Sequence, residues 1–525
     1  MDKYTEYKNI DYAEVASDVL KWWQENDIFK KSITTRNGKP AFTFYEGPPS
    51  ANGTPGIHHV MARTVKDIFC RYKTQKGYQV ARKGGWDTHG LPVELQVEKE
   101  LGITKEDIGK KITVEAYNQK CKEAVMKFKG QWDDLTQKMG YWVDLDDPYI
   151  TFNRDYMETL WNLLKKLYDK GLLYKGFTIQ PYSPAAGTGL SSHELNQPGT
   201  YKDVKDTTIV AQFKVERNTQ SAQFFDEDDE CLYILAWTTT PWTLAANNSL
   251  AVGKNIKYVK VKSFNAYTHE PVSVILAADR VNSYFNAKAA DLSLADYKPG
   301  DKLIPFEVSE PFPGKVLEGV DYEQLMPYIS LPKPAFKVLV GDFVTTEDGT
   351  GVVHLARTFG ADDDRVSAQY GVPGIFVKDE DGFDSPIVDK QGKYVKEITD
   401  FAGMYVKNQY YADGEAPEKG LDIQIAIKLK EENKAFKVEK YEHSYPHCWR
   451  TDKPVLYYPL DSWFVKTTAF KDRLVELNNT INWKPASTDF CTSAFNSARL
   501  PMHISSCWSS DLQMGKGVPQ YLLRL

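Results

Sequence analysis

Phe42-Thr43-Phe44-Tyr45, then Gly47-Pro48-Pro49-Ser50-Ala51-Asn52-Gly53-Thr54-Pro55-Gly56-Ile57-His58-His59, is the stretch on which the reading of this chain turns. The β-branched and aromatic tetrad reads as a buried strand, and no regular element can hold the Gly/Pro run after it. A helix is expected next. Met61, Val65, Ile68, Phe69 and Tyr72 recur on one face at helical spacing, and Gly77 stands where a helix would stop. Strand, Gly/Pro loop and helix is a nucleotide-site layout, because the helix start offers unpaired N–H groups and a positive dipole end to phosphate. His58 and His59 fall at that start, where a histidine pair is equally compatible with an ordinary capped helix end.

A second stretch of the same kind is Gly84-Gly85-Trp86-Asp87-Thr88-His89-Gly90-Leu91-Pro92-Val93-Glu94, a Gly-rich turn entering a helix. Two such loops at one sheet edge line one crevice, where open α/β sheets bind ligands. Asp87 is the carboxylate placed there. Burying it is costly unless it is paired, and the α-ammonium of an amino acid is a suitable partner; capping the following helix is its other possible use. Residues 11–31 read as an amphipathic helix with Val15, Val19, Trp22 and Trp23 on the side that packs on the main domain. Further helical patterns cover 118–142 and 156–170.

A chain of 525 residues is too long for one core and implies several domains. Its 42% apolar and 26% charged residues are those of a soluble globular protein, and no apolar run approaches the ~18 residues a membrane span needs. The N-terminus has neither the basic start nor the apolar core of a signal peptide, so a cytoplasmic location is expected. Six cysteines are scattered without a Cys-x-x-Cys pair, and no tightly bound metal is expected. A net charge of −6 gives no general attraction for nucleic acid, so an RNA partner would need a local basic groove.

From about residue 196 to 440 the composition becomes strand-rich, with Ile209, Ala211, Phe213 and Val215 read as alternating with polar residues. This region reads as a separate mixed β domain inserted into the first. It holds two stretches with chemical content. One is Trp237-Thr238-Thr239-Thr240-Pro241-Trp242-Thr243-Leu244-Ala245-Ala246-Asn247, rich in hydroxyls. The other is Gly349-Thr350-Gly351-Val352-Val353-His354-Leu355, followed by Phe359-Gly360-Ala361-Asp362-Asp363-Asp364. By themselves, threonines in a strand and a Gly turn before an acidic helix start are common structural features.

The first stretch resembles the first signature of class I aminoacyl-tRNA synthetases, and its Pro-Pro-x-Ala-Asn-Gly lead-in is similar to the isoleucyl branch. The family reads His-Ile-Gly-His where this chain has Gly56-Ile57-His58-His59, so only His59 keeps its place and His58 would supply the other imidazole. The Thr-Thr-Thr-Pro-Trp-Thr-Leu form, Gly-Trp-Asp-Thr-His-Gly-Leu-Pro, and Tyr445-Pro446-His447-Cys448-Trp449-Arg450 resemble the same branch, over residues 10–487. The resemblance implies an α/β fold: a parallel, Rossmann-like nucleotide-binding catalytic domain (1–195, resuming at 441–487) interrupted by a mixed β-rich editing domain (196–440). It implies an isoleucine–tRNA ligase using ATP with Mg²⁺ as a substrate complex. Isoleucine and its tRNA are the implied partners, with valine edited hydrolytically, and the chain is expected to be monomeric. ATP would meet Pro49, Asn52, Gly53, Gly56, His58 and His59, with the two histidines catalytic by charge stabilisation. Pro48 and Asp87 would hold the amino acid. Editing is needed because a pocket rejects one missing methylene only weakly, a limit for which isoleucine against valine is itself the standard instance. Thr238, Thr239, Thr240, Trp242, Thr243 and Asn247 would hold the terminal adenosine and the water, His354 would exclude the larger side chain, and Asp363 would grip the ammonium.

After Ser487 the family would continue with the rest of the nucleotide fold, a Lys-Met-Ser-Lys-Ser loop and an anticodon-binding domain, none of which follows here. The stretch 488–525 matches nothing in the family and reads as an unrelated end on a truncated chain, expected to be poorly ordered and to add nothing to the sheet. On this reading, isoleucine-dependent ATP–pyrophosphate exchange is not expected, and editing hydrolysis alone or an inert binding fragment are the alternatives. A nucleotidyltransferase of another kind would share the first signature but not the threonine-rich and Gly-Thr-Gly stretches.

Overall fold

The computed structural model describes residues 9–227, 231–379, 382–483, 486 and 502–503. Its contacts divide the chain into two units, Met1–Tyr174 with Phe464–Leu525, and Lys175–Trp463.

The first unit begins with helices α1 (Tyr12–Glu25) and α2 (Ile28–Thr34). The single helix expected over 11–31 breaks at Asp27, which takes a left-handed φ of 51°. Trp23 packs edge-on against Trp142 at 5.1 Å between ring centroids, whereas Val19 and Trp22 remain exposed. Next come β1 (Ala41–Tyr45), α3 (Ile57–Gln75), β2 (Gln79–Trp86) and α4 (Leu91–Leu101). Helices α5 (Val114–Val125) and α6 (Lys129–Lys138) follow, then β3 (Asp144–Ile150) and α7 (Arg154–Asp169). The three strands form a parallel sheet in the order β1-β2-β3, with Phe42 opposite Val80 and Trp86 opposite Ile150. Parallel strands joined by helices place successive strand ends, and hence the loops 46–56 and 87–90, at one edge.

Three expectations are corrected here. Strand β1 is not buried: Ala41, Thr43 and Tyr45 are exposed, and β1 pairs only with β2 among the described residues. The apolar stripe of α3 is also uncovered, from 48% exposed at Phe69 to 66% at Met61, and the buried side of the helix carries Arg63, Cys70 and Thr74 instead. Periodicity identifies a face, but the neighbours decide which face is covered. Arg63 is tolerated inside because it bonds the Thr136 hydroxyl and lies 5.0 Å over the Trp132 ring. Lastly, Gly84 and Gly85 belong to strand β2 rather than to a turn. A Cβ on Gly85 would lie 2.3 Å from the Tyr149 ring, so glycine is needed there for close approach.

Met502–His503 form a short strand antiparallel to Phe464–Val465. This pair belongs to a sheet other than the parallel one formed by β1, β2 and β3; most of 488–525 lies outside the described residues.

The second unit is built on a mixed ten-stranded sheet. Strand Tyr201–Lys214 pairs antiparallel with both Leu232–Thr238 and Ala435–Pro446. Ile209, Ala211 and Phe213 pack in one core cluster and the intervening Val210 in another, so this stretch is buried on both faces. Strand Val352–Leu355 lies between Leu232–Thr238, where Val353 meets Trp237 in parallel, and Ser249–Val252, where His354 faces Leu250. That placement brings the two chemically suggestive stretches together. One flanking strand ends at Thr238 and the other begins just after Asn247, so both ends of the threonine loop are held beside His354. Gly351, at φ 75°, makes the turn possible: a Cβ there would sit 2.4 Å from that of Ala277.

Candidate functional site

The first unit has a cleft of about 390 Å³ between the loop that follows β1 and the start of α3, lined among others by Glu46, Pro49, Asn52, Gly53, His59 and Lys66. Pro48, Gly56, His58 and Asp87 are not part of its lining. His59 sits in the first turn of α3 and its Nδ1 accepts the Gly56 N–H at 2.9 Å. Nδ1 thus serves the helix start, which leaves Nε2 to carry the proton of the neutral ring. Burial first, then the neighbouring His58 and Arg63, hold the His59 pKa below its ordinary value. The His58 ring lies tilted against that of His59, 3.8 Å between centroids, but is itself exposed.

Asp87 is buried. Its backbone N–H donates to Pro49 O at 3.0 Å, and its carboxylate accepts from His89 N at 3.3 Å and from the Ser50 hydroxyl at 3.5 Å. It does not cap α4, whose N-cap is Gly90. Asp87 thus ties the second loop to the first. The Trp132 indole fixes the first loop from the other side by donating to Gly53 O at 2.8 Å.

Sequence reasoning missed Glu46 and Lys66. They form a 2.6 Å ion pair at the cleft, with Glu46 3% exposed and also accepting from the Tyr141 hydroxyl. The available signal was the polar stripe His59, Arg63, Lys66 and Cys70 on α3, at the same helical spacing as the apolar one.

In the second unit, His354 Nε2 lies 2.8 Å from Thr243 Oγ1 and Nδ1 lies 3.4 Å from Asn247 Nδ2. Thr243 Oγ1 also reaches Thr240 O at 2.8 Å, a bond only its own proton can make. The ring must then donate from Nε2 to the hydroxyl and accept at Nδ1 from the amide. Burial depresses the His354 pKa to about 4, so the ring stays neutral at physiological pH. Thr240 Oγ1 lies 3.3 Å from both Thr238 Oγ1 and Thr243 Oγ1, which closes a chain of hydroxyls. Thr239 is half-buried at the turn. The Trp242 side chain is a core residue, edge-on to Phe359 at 5.1 Å. Asn247 is fully engaged: Nδ2 donates to Ser249 O at 2.9 Å and Oδ1 accepts from the Tyr322 hydroxyl at 2.7 Å. Tyr322 had no sequence signal.

The acidic triplet opens the helix Ala361–Gln369. Asp364 pairs with Arg357 at 2.8 Å and Asp362 with Arg365 at 3.0 Å. Asp363 is left to a different partner, the N–H of Ala356 at 2.8 Å, two residues past His354. Burial, opposed by that hydrogen bond and assisted by the two flanking carboxylates, pushes its pKa up to about 7. Among the described residues no cluster of three or more His, Cys, Asp or Glu is disposed to hold a metal ion, and no helix is long and apolar enough to cross a membrane.

Two loops meeting at the ends of parallel strands, with a histidine at a helix start, belong with a family comparison that covers most of the chain. The model for tRNA synthetases class I (I, L, M and V) matches residues 18–506, and the chain belongs to that family. The match runs beyond Ser487, where the resemblance was expected to stop. The chain is 66% identical over 496 residues to the isoleucine–tRNA ligase of Cytophaga hutchinsonii, covering 93% of this chain and 44% of that protein. It is 58% identical over 503 residues to the isoleucine–tRNA ligase of Bacteroides fragilis, with the same coverage of 93% and 44%. It therefore spans less than half the length of these curated relatives. Among solved structures, one described as "The crystal structure of GlLeuRS-CP1" shares 15% identity over 44% of this chain and 99% of its own, with a TM-score of 0.28.

Proposed function

We propose that this chain carries out part of the work of an isoleucine–tRNA ligase: its first unit binds ATP and isoleucine, and its second hydrolyses valine wrongly esterified to the tRNA for isoleucine. For the first half, His59 Nε2–H and Lys66 beside the loop 47–55 supply donors and positive charge for the phosphates of ATP, which enters as its Mg²⁺ complex. Stabilising charge that develops on the α-phosphate is electrostatic catalysis without a covalent enzyme intermediate. Asp87 would receive the amino group of isoleucine, and Pro48 would wall the side-chain pocket. For the second half, the threonine hydroxyls would hold the terminal adenosine and a water, Asp363 the ammonium, and His354 would limit the size of the amino-acid side chain.

The observation that carries this reading is the fixing of a neutral His354 between Thr243 and Asn247. A ring held by two partners is a rigid steric wall, which discriminating isoleucine from valine by size requires. The test is deacylation of valyl- and isoleucyl-tRNA, both made on the tRNA for isoleucine, at high enzyme concentration and low salt. Hydrolysis of the valyl ester should exceed that of the isoleucyl ester. A folded chain that hydrolyses neither above background would sink the editing half of the proposal.

A further inference from the structure

The threonine loop is held at its centre by residues remote in sequence and outside the hydroxyl cluster. Trp242 lies between Thr240 and Thr243, and both polar groups of its backbone are taken. Its N–H donates to Asp422 Oδ1 at 3.2 Å, and its carbonyl accepts from the Tyr394 hydroxyl. Asp422 is the second residue of the helix Leu421–Glu431, where the dipole favours a carboxylate. Close by is a compact charged group. Lys407 bonds Asp206 at 2.8 Å and lies 4.6 Å over the Tyr445 ring, and His443 Nε2 is 3.4 Å from the same Asp206 oxygen. Lys440, on the outer strand, bonds Thr207 at 2.7 Å. The hydroxyl cluster makes no use of these groups.

We propose that Asp422 is a positioning residue for the threonine loop, a carboxylate strut that fixes the Trp242 amide and through it the spacing of Thr240 and Thr243, with its ionisation setting how firmly the loop is held. This deepens the editing reading of the same site and rests on it. An ionised carboxylate is the stronger acceptor for an amide N–H, so the strut tightens as Asp422 loses its proton. The groups that act on it are Lys407, which favours the charged form, Asp206, which opposes it, and Lys440, which favours it more weakly, with the hydroxyls of Tyr394 and Tyr445 also in its field. Burial is the largest influence and brings its pKa up to about 7, so the transition falls near neutrality.

The test compares Asp422→Asn, which keeps an oxygen acceptor without the charge, with Asp422→Ala, which keeps neither. In the full chain labelled with ¹⁵N-tryptophan, the Trp242 amide should titrate near pH 7, should still do so in Asp363→Asn, and should not in Asp422→Asn. Its hydrogen exchange should be at least tenfold faster in Asp422→Ala and within threefold of the parent in Asp422→Asn. Valyl-tRNA hydrolysis should lose at least tenfold in kcat in Asp422→Ala, with KM within twofold, and recover most of it in Asp422→Asn. An amide titration that persists in Asp422→Asn, or unchanged exchange or unchanged hydrolysis in Asp422→Ala, would overturn the proposal. Should Asp422→Ala not fold, the titration in Asp422→Asn decides alone. A parent chain inactive on both esters would remove the editing reading, while the amide measurements would still decide the strut.

Discussion

His354 and Thr243 stand 111 residues apart in sequence and 2.8 Å apart in space. The contact exists because the strand carrying His354 is paired on both sides, by the strand that leads into the threonine loop and by the strand that leaves it. His354→Ala should remove the wall and the donor to Thr243, whose hydroxyl keeps its bond to Thr240 O. Hydrolysis of isoleucyl-tRNA is expected to rise at least tenfold while that of valyl-tRNA changes less than threefold, measured by release of labelled amino acid.

The raised pKa of Asp363, about 7, makes a prediction with two signs. An ammonium is gripped by the ionised form, so valyl-tRNA hydrolysis should climb as pH rises through 7, and Asp363→Ala should abolish both the climb and the preference for the valyl ester. Stability runs the other way. A carboxyl whose folded pKa lies above its unfolded value contributes stability that is complete below the unfolded value, about 3.9, and lost as pH rises through 7. Asp363→Asn is therefore expected to unfold at higher temperature than the parent at pH 8, with the difference vanishing by pH 4, by calorimetry.

His58 and His59 should separate in ATP binding. His59 lines the cleft and has its tautomer fixed by Gly56, whereas His58 is exposed and lies outside the lining. His59→Ala should weaken ATP binding about tenfold, the scale of one charge-assisted hydrogen bond, and His58→Ala less than threefold, by titration calorimetry. Equal losses would count against His59 as the phosphate contact.

Asn247→Ala should destabilise the second unit by about 1–3 kcal/mol, because it strands the fully buried Tyr322 hydroxyl. Adding Tyr322→Phe to it should recover part of the loss, since the stranded group is then gone. Denaturant unfolding of the single and double variants measures both effects.

Gly351→Ala combines a φ of 75° with a Cβ 2.4 Å from that of Ala277. A loss of about 1–3 kcal/mol is expected, with faster amide exchange along Val352–Leu355 and, through His354, a smaller preference for the valyl ester.

The local elements and their chemistry are legible in the chain: a strand, a Gly/Pro loop and a helix with His59 at its first turn, and the paired threonine and Gly-Thr-Gly stretches. Each is written in residues adjacent in the chain, where turn propensity and helical period act. Which faces are covered and which groups meet depend instead on contacts between distant parts of the chain. The apolar stripe of α3 is as regular as any buried face, yet Arg63, Cys70 and Thr74 are the side turned inward, because Thr136 and Trp132 are there to satisfy Arg63. Asp87 could have capped its helix on sequence grounds, but the close approach of Pro49 and Ser50 brings its carboxylate to the neighbouring loop. Asp363 is told from Asp362 and Asp364 only by where Arg357 and Arg365 lie. Burial and pairing depend on residues far away in the chain, and they set both the energy of a buried charge and the pKa of each group in these sites.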